Sequence, residues 1–403
     1  MKKIIEVLWL SAQAPYKSAP DAGGKIYYKY YKALDIDEKF HVKTIAIAMN
    51  ESIKEMVDDE KFNDIEKIIL HDDNQSHFWK FVRNIDYYFN PFQKYGGLIS
   101  IHLKKQIEKC LVDLKESQYE PDTVIMEWTG MLSLIDVVKK LWPSCKCVVT
   151  EQDVTMVGYA RKAKYYKGFK GIFWKIREKI NKKFEINSLK KCDVINLLNY
   201  ENRFLLKKSG IDEEKCFWLV PTFYDLSNLI RKPMNHEIIF YGAMARLENE
   251  KSAIWFIENV MPLLEDTDIV FTIIGNKPSD RLLKYKCDKV KITGFVEEIA
   301  PYFISSLCMV APLVLGAGIK IKVLEGLSSG IPVLTNSIGI EGINVENEKE
   351  YFHCETPSEY AMVIRRLLDG QIDTKFIEKN AKQYIAQNLD FDLAINEYKK
   401  RII

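Results

Sequence analysis

The sequence predicts an α/β protein built as two doubly wound domains with parallel sheets. Three observations predict it. The chain of 403 residues is too long for one ordinary core. Short β-branched apolar runs alternate with helical patterns, which is how parallel strands joined by crossover helices read. The alternation stops at Pro221 and starts afresh at Glu237, as expected where one domain gives way to another.

In the first half the strand-like runs are 4–10, 41–49, 123–128, 146–150 and 193–198. Two lysines precede the first run in the manner of a leader peptide, but Glu6 interrupts it and it is short, so a strand is expected. The pair Gly23-Gly24 follows that strand and opens the first helix without the full GxGxxG of a dinucleotide fold. In the second half the runs are 237–241, 269–274, 290–293, 308–312 and 332–335.

Hydrophobic residues make up 47% and charged residues 28%, a composition that can bury a large core and does not indicate disorder. A formal net charge of +2 gives no global attraction to nucleic acid or anionic membrane. No stretch approaches the length of apolar sequence that spans a bilayer. The eight cysteines are scattered, and none has zinc-site spacing. Cys145 and Cys147 are expected on opposite faces of a strand. Reduced thiols in the cytoplasm are the expectation.

One region stands out by charge. RKAKYYKGFKGIFWKIREKINKKFEINSLKK, 161–191, is opposed only by Glu178 and Glu185, while Phe169, Phe173, Ile176, Ile180 and Phe184 recur at helical steps. Two readings fit. The aromatic stripe packs on its own domain beneath a solvated basic face, or the segment is a patch for a membrane surface or anionic acceptor.

The most informative stretch is APLVLGAGIKIKVLEGLSSGIPVL, 311–334. A strand over 308–312, a loop over 313–318, a helix over 319–329 and a stop at Gly330 are expected. Gly316 and Gly318 let the backbone approach a ligand, and the helix N-terminus that follows suits a phosphate. Lys320 falls in the first turn, where it opposes the helix dipole unless an anion is bound. Lys322 is expected to point elsewhere, so that at most one of the two lysines touches the same phosphate. Glu325 could accept both hydroxyls of a ribose. An ordinary loop with surface lysines fits the same residues. A second anion site is suggested where Gly242 ends a strand and Arg246 and Lys251 follow.

Four segments, YGAMARLENEKSAIWF, FTIIGNKPS, VKITGFVEEIAPYF and the 311–334 stretch continued to SIGIEGI, occur in one order. In that order they resemble the donor-binding half of glycosyltransferase family 4, retaining enzymes of the GT-B fold. The N-terminal half is similar more loosely, through Gly23-Gly24, the TEQD of 150–153 and the P-x-x-x-D of 221–225. The resemblance implies two Rossmann-like domains facing across a cleft. They are an acceptor-binding domain over 1–220, a linker over 221–236, a nucleotide-sugar domain over 237–385, and a C-terminal helix over 386–403 packing back on the first domain.

Residue by residue, the resemblance gives Glu325 the donor ribose and gives Gly318, Ile319 and Lys320 the diphosphate. Gly242 lies under that diphosphate with Arg246 or Lys251 as the following cation, and Gly275 belongs to the same donor site. Phe295 and Val296, within 293–296, lie beside the base, and Gly24 closes over the phosphates from the other domain. Ala317 stands where many members have a glutamate, a feature shared by a Gly-Ala-Gly-x-Lys subgroup. Ala243 replaces a basic residue, and Gln152 and Asp153 occupy the acceptor side where relatives often have histidine. Asp153 is expected to contact the acceptor or to cap the helix that follows.

The reaction implied is transfer of a sugar from a UDP- or GDP-sugar co-substrate to a glycan or lipid-linked acceptor in cell-surface polysaccharide synthesis, with no cofactor or metal. Lys320, with Arg246 or Lys251, would neutralise the departing diphosphate. The expected location is cytoplasmic, with peripheral contact at the inner face of the plasma membrane through 161–191. Two other readings stay open. One is a nucleotide-sugar 2-epimerase, against which the placement of the six histidines argues. The other is a GT-B-fold protein that binds a glycan or partner without catalysis.

Overall fold

The computed structural model describes residues 4–16, 22–48, 67–70, 76–94, 99–152, 154–233, 236–316 and 318–403. Asp153 and Ala317 lie outside the described residues. The chain divides into two compact units, 1–220 with 391–403 and 221–390.

Among the described residues, unit 1 has a seven-stranded sheet in the order β3-β2-β1-β4-β5-β6-β7. Its strands are β1 (Ile5–Ser11), β2 (Phe40–Ala48), β3 (Lys67–Leu70), β4 (Thr123–Glu127), β5 (Lys146–Glu151), β6 (Val194–Leu197) and β7 (Cys216–Trp218). Every pairing is parallel. Helices cover both faces, so the central strands are largely buried, and all five residues of β4 are. That double burial is why these strands read as continuous apolar runs rather than as alternating ones.

The helices of unit 1 are α1 (Ala22–Asp35), α2 (His77–Phe89), α3 (Ile101–Glu116), α4 (Ile135–Leu141), α5 (Thr155–Tyr165), α6 (Gly168–Leu189) and α7 (Asn202–Lys208). The helix Phe391–Ile402 joins them from the far end of the chain. Its Ile402 carbonyl accepts the Thr123 hydroxyl at 2.6 Å, and Lys399 pairs with Asp37 at 2.7 Å.

Among the described residues, unit 2 has a six-stranded parallel sheet in the order β10-β9-β8-β11-β12-β13. The strands are β8 (Glu237–Tyr241), β9 (Val270–Ile274), β10 (Val290–Gly294), β11 (Cys308–Ala311), β12 (Val333–Thr335) and β13 (Phe352–His353). Its helices are α8 (Leu247–Asn259), α9 (Asp280–Leu283), α10 (Ala300–Ser305), α11 (Ile321–Ser329), α12 (Pro357–Leu368) and α13 (Thr374–Asn388), so that the helix over Phe391–Ile402 is α14. In both units strand order reverses beside the first strand, between β1 and β4 and between β8 and β11. Ligands of open α/β sheets bind at the carboxyl ends of the strands flanking such a reversal.

Three strands, β3, β7 and β13, are additions to those expected. They have four, three and two residues, too few to show periodicity. The Cys145 and Cys147 sulfurs lie 3.8 Å apart, correcting the expectation of opposite faces. Residues two apart in extended chain share a face.

The basic segment also differs from expectation. It forms two helices, α5 and α6, broken at Gly168, whose φ is +60°. The buried face of α6 is not the aromatic stripe but Gly171, Arg177, Asn181, Glu185, Ser188 and Leu189. Those polar groups are used. Arg177 donates to the Tyr87 carbonyl at 2.5 Å, and Asn181 to the Gln93 carbonyl at 2.8 Å. Glu185 accepts the Thr155 and Met156 amides at 2.8 Å each, capping α5. That helix therefore starts with Val154 at the capping position and a distant glutamate as its cap.

Candidate functional site

The carboxyl ends of β8 and β11 bring the glycine loops of unit 2 together. Three backbone bonds tie the loops beyond the strands. The Gly242 amide donates to the Ile274 carbonyl at 3.0 Å, Met244 to Asn276 at 3.1 Å and Gly275 to Gly294 at 2.9 Å. The loop after β11 is held from both sides. The Val314 amide donates to the Ser252 hydroxyl at 3.3 Å, and the Asn336 side chain donates to the Leu313 carbonyl at 2.8 Å.

At Gly242 the missing side chain matters. A Cβ there would lie 2.7 Å from the Lys322 ammonium and 2.8 Å from the Asn249 amide nitrogen. Lys322 lies in the first turn of α11 and turns back toward β8, donating to Asn249 Oδ1 at 2.7 Å above the Phe240 ring. Asn249 is buried and donates in turn to the Ala243 carbonyl at 2.9 Å. Burial, then the neighbouring Arg246 and Lys320, push the Lys322 ammonium down to about 7 against the opposing pull of Glu248. Lys322 is expected to point elsewhere than Lys320, and the two ammoniums have different partners, Asn249 Oδ1 for Lys322 and the Gly318 carbonyl and Glu341 for Lys320.

Lys320 does not occupy the first helical turn. It is the extended residue before α11, with φ −96° and ψ 96°. Its ammonium donates to the Gly318 carbonyl and lies 3.8 Å from a Glu341 carboxylate oxygen. No side chain caps α11, and its first turn holds no acidic residue. The N-terminus of α8 is also uncapped by a side chain, but Glu248 and Glu250 fall in its first turn. Arg246, just before α8, is paired with Glu248 at 2.6 Å. An anion is therefore better placed at α11 than at α8.

The remaining expected residues are placed as follows. Glu325 accepts the Tyr224 amide at 3.1 Å and the Tyr241 hydroxyl. Ile319 and Gly318 lie in the loop beside Lys320, and Lys251 lies half-buried on α8. Phe295 is 73% exposed just beyond β10, with Val296 half-buried next to it. Gly24 is buried in the first turn of α1, in unit 1. Sequence reasoning did not single out Asn249 or Tyr241. Tyr241 at a strand end was the available signal.

Unit 1 gathers carboxylates at the ends of β4 and β5. Glu127 is 2% exposed and receives the Gln152 amide at 2.6 Å. Burial pushes its carboxyl up to about 8, against hydrogen bonds from Gln152 and Thr150. The next residue, Trp128, has φ +72°, a strained turn for a bulky residue. Thr129 donates to Glu151 at 2.7 Å and receives Thr155 at 2.9 Å. Because the folded state keeps a proton on Glu127 that the unfolded chain releases near 4.5, this group's stabilising contribution is present at low pH and lost as pH rises toward 8. Glu185 is pushed up by burial in the same direction. Glu127→Gln is therefore expected to flatten the fall in melting temperature between pH 7 and 8.5, leaving the part due to Glu185 at lower pH; an unchanged slope would contradict this assignment.

Two parallel-sheet α/β units, with glycine loops and an uncapped helix at the switch point of the second, define a protein of the GT-B fold. Residues 235–370 match the family model described as Glycosyl transferases group 1, which covers the site just described. Among solved structures, Anabaena HepE in complex with UDP is similar at TM-score 0.66 and 11% identity, covering 98% of this chain and 99% of that one. A glycosyltransferase from Rickettsia africae is similar at TM-score 0.64 and 16% identity, covering 99% and 98%. A curated relative, the uncharacterized 44.6 kDa protein in the cps region of Klebsiella pneumoniae, is 26% identical over 211 residues. That alignment covers 48% of this chain and 53% of the relative, so the chain spans about half the length of the curated relative it matches. Together these findings show the GT-B fold, with the match to the Glycosyl transferases group 1 model lying within unit 2.

Proposed function

We propose that the protein is a retaining, family 4 glycosyltransferase that moves a sugar from a nucleotide-sugar donor to a glycan or lipid-linked acceptor in polysaccharide synthesis. The observation that carries this reading is Lys322 lying against Gly242 beside the uncapped N-terminus of α11. The donor's diphosphate sits there, with its charge met by Lys322, by the amides of α11 and, from the loop, by Lys320. Glu325, oriented by Tyr241 and Tyr224, takes the ribose, and exposed Phe295 lies beside the base. As the sugar–oxygen bond breaks, negative charge grows on the diphosphate, and preorganised cations and amides lower the barrier. The HepE complex with UDP and the cps-region relative support the donor class and the pathway class. Contact of 161–191 with a membrane surface belongs to the same reading.

Incubation with UDP-, GDP- and ADP-sugars and detection of the released nucleotide test it. Slow donor hydrolysis or transfer supports the transferase, an isomerised donor the epimerase, and absence of both turnover and nucleotide binding would sink the reading. A pH dependence follows from Lys322. Unliganded, it holds its proton below about 7 and loses it above. Bound diphosphate prefers the protonated amine, and a terminal phosphate is already ionised in that range. UDP affinity is expected to fall as pH rises from 7 to 9, by up to about tenfold per unit. In Lys322→Met that slope disappears; titration calorimetry across this range checks both.

A further inference from the structure

Helix α2 is amphipathic but faces the wrong way for a helix serving a core. Among its residues none is buried. Phe78, Phe81, Ile85, Tyr88 and Phe89, followed by Phe92, recur at steps of three and four, and every one is between 45% and 77% exposed. The helix is held instead by its other side. Trp79 stacks on His102 at 3.9 Å, the buried Arg177 of α6 grips the Tyr87 carbonyl and lies under the Tyr87 ring at 4.9 Å, and Asn181 holds Gln93. These anchors fix α2 with its apolar stripe outward. A contiguous aromatic face of this kind marks an interaction surface.

What it fits follows from its neighbours. Helix α6, which anchors α2, belongs to the 161–191 stretch, where Arg177 and Glu185 are buried and the other eleven lysines and arginines are opposed only by Glu178. Near the start of α6, Phe169 is 93% and Ile172 56% exposed among those lysines. Aromatic residues on one face with basic residues around them are the composition of helices that lie in a membrane interface. A second copy would bring the same positive charge against itself. No helix among the described residues is long and apolar enough to cross a membrane, so the contact is with a surface.

We propose that unit 1 docks on an anionic lipid surface, inserting the outward aromatic face of α2 between headgroups while the lysines of α5 and α6 meet the lipid phosphates. This rests on the membrane contact of 161–191 in the reading above and adds the inserting element. It places the enzyme where a lipid-linked acceptor is presented.

Sedimentation of the full chain with phosphatidylcholine vesicles, with and without phosphatidylglycerol, tests it. Wild-type protein is expected to bind the anionic vesicles at low salt and to be released as salt rises. The triple variant Phe81→Ser, Tyr88→Ser, Phe89→Ser is expected to lose about tenfold or more of that binding, with circular dichroism and donor turnover in solution unchanged. Phe89→Trp, which keeps the surface apolar, is expected to be quenched by bromine-labelled lipid chains. If Lys170→Glu, Lys175→Glu, Lys179→Glu abolishes binding while the α2 variant binds normally and Phe89→Trp is not quenched, the inserting role of α2 is overturned and the 161–191 contact stands. If wild-type protein ignores anionic vesicles, both fall, while the donor reading stands on its own nucleotide assay. A dimer that the α2 variant dissociates, with no vesicle binding, would assign the face to a second copy and overturn the proposal.

Discussion

Lys322→Met is expected to lower the rate of donor turnover by about 10²–10³, the loss typical when one preorganised donor to a developing anion is removed, or ~3–4 kcal/mol in the barrier. The fold should survive it. Methionine fills the same space, and the variant no longer has to enclose an ammonium above Phe240; leaving Asn249 Oδ1 without its donor costs about 1 kcal/mol in return. Lys320→Ala is expected to cost less, because the Lys320 charge is already shared with Glu341 and the Gly318 carbonyl. Steady-state kinetics on both variants, with melting temperatures to exclude unfolding, decide the order. A near-wild-type rate for Lys322→Met, or a larger loss for Lys320→Ala, would return the diphosphate to Lys320.

Gly275→Ala should be the more destructive change to the scaffold. A Cβ at Gly275 would lie 1.8 Å from the Gly242 carbonyl oxygen and 2.9 Å from its carbon, so backbone and not a movable side chain must give way. The position also has φ +153°, which an L side chain rarely adopts. Overpacking of about 1–3 kcal/mol and strain of a similar ~1–3 kcal/mol would fall on the bonds that hold Gly242 in place. The expected result is a lowered melting temperature for unit 2 and loss of UDP affinity together. Gly158→Ala is the control, since that helical glycine has nothing within 4 Å of a new Cβ, and the substitution should raise stability by about 0.5–1 kcal/mol. Equal behaviour of the two variants would remove the Gly242–Gly275 contact from the account of the site.

How far the sequence reached can be judged at particular residues. The central strands of both sheets were legible because parallel strands buried on two faces are apolar along most of their length. The stop at Gly330 was legible too, since its left-handed φ of +75° suits glycine. The loops that gather at the β8–β11 switch point were readable from Gly242, Gly318 and the helix that follows. The use of each charge was not. Helix α11 begins at Ile321 rather than at residue 319, which leaves Lys320 in extended chain and puts Lys322 in the first turn, directed at Gly242. No spacing rule locates a helix start to within two residues.

The two amphipathic helices of unit 1 carry the same lesson. Periodicity in α6 identified which residues share a face, but not which face turns inward. In α6 the face with Arg177, Asn181 and Glu185 is the buried one, because carbonyls at Tyr87 and Gln93 and the amides at the start of α5 wait for it. In α2 the apolar face is left outside by those same anchors. By itself the sequence determined the two parallel α/β units and the glycine loops, since local apolar runs and glycine's backbone freedom are properties of neighbouring residues. The tertiary structure alone decided which lysine meets Gly242 and which helical faces remain exposed, because those choices depend on polar partners tens of residues away in the chain.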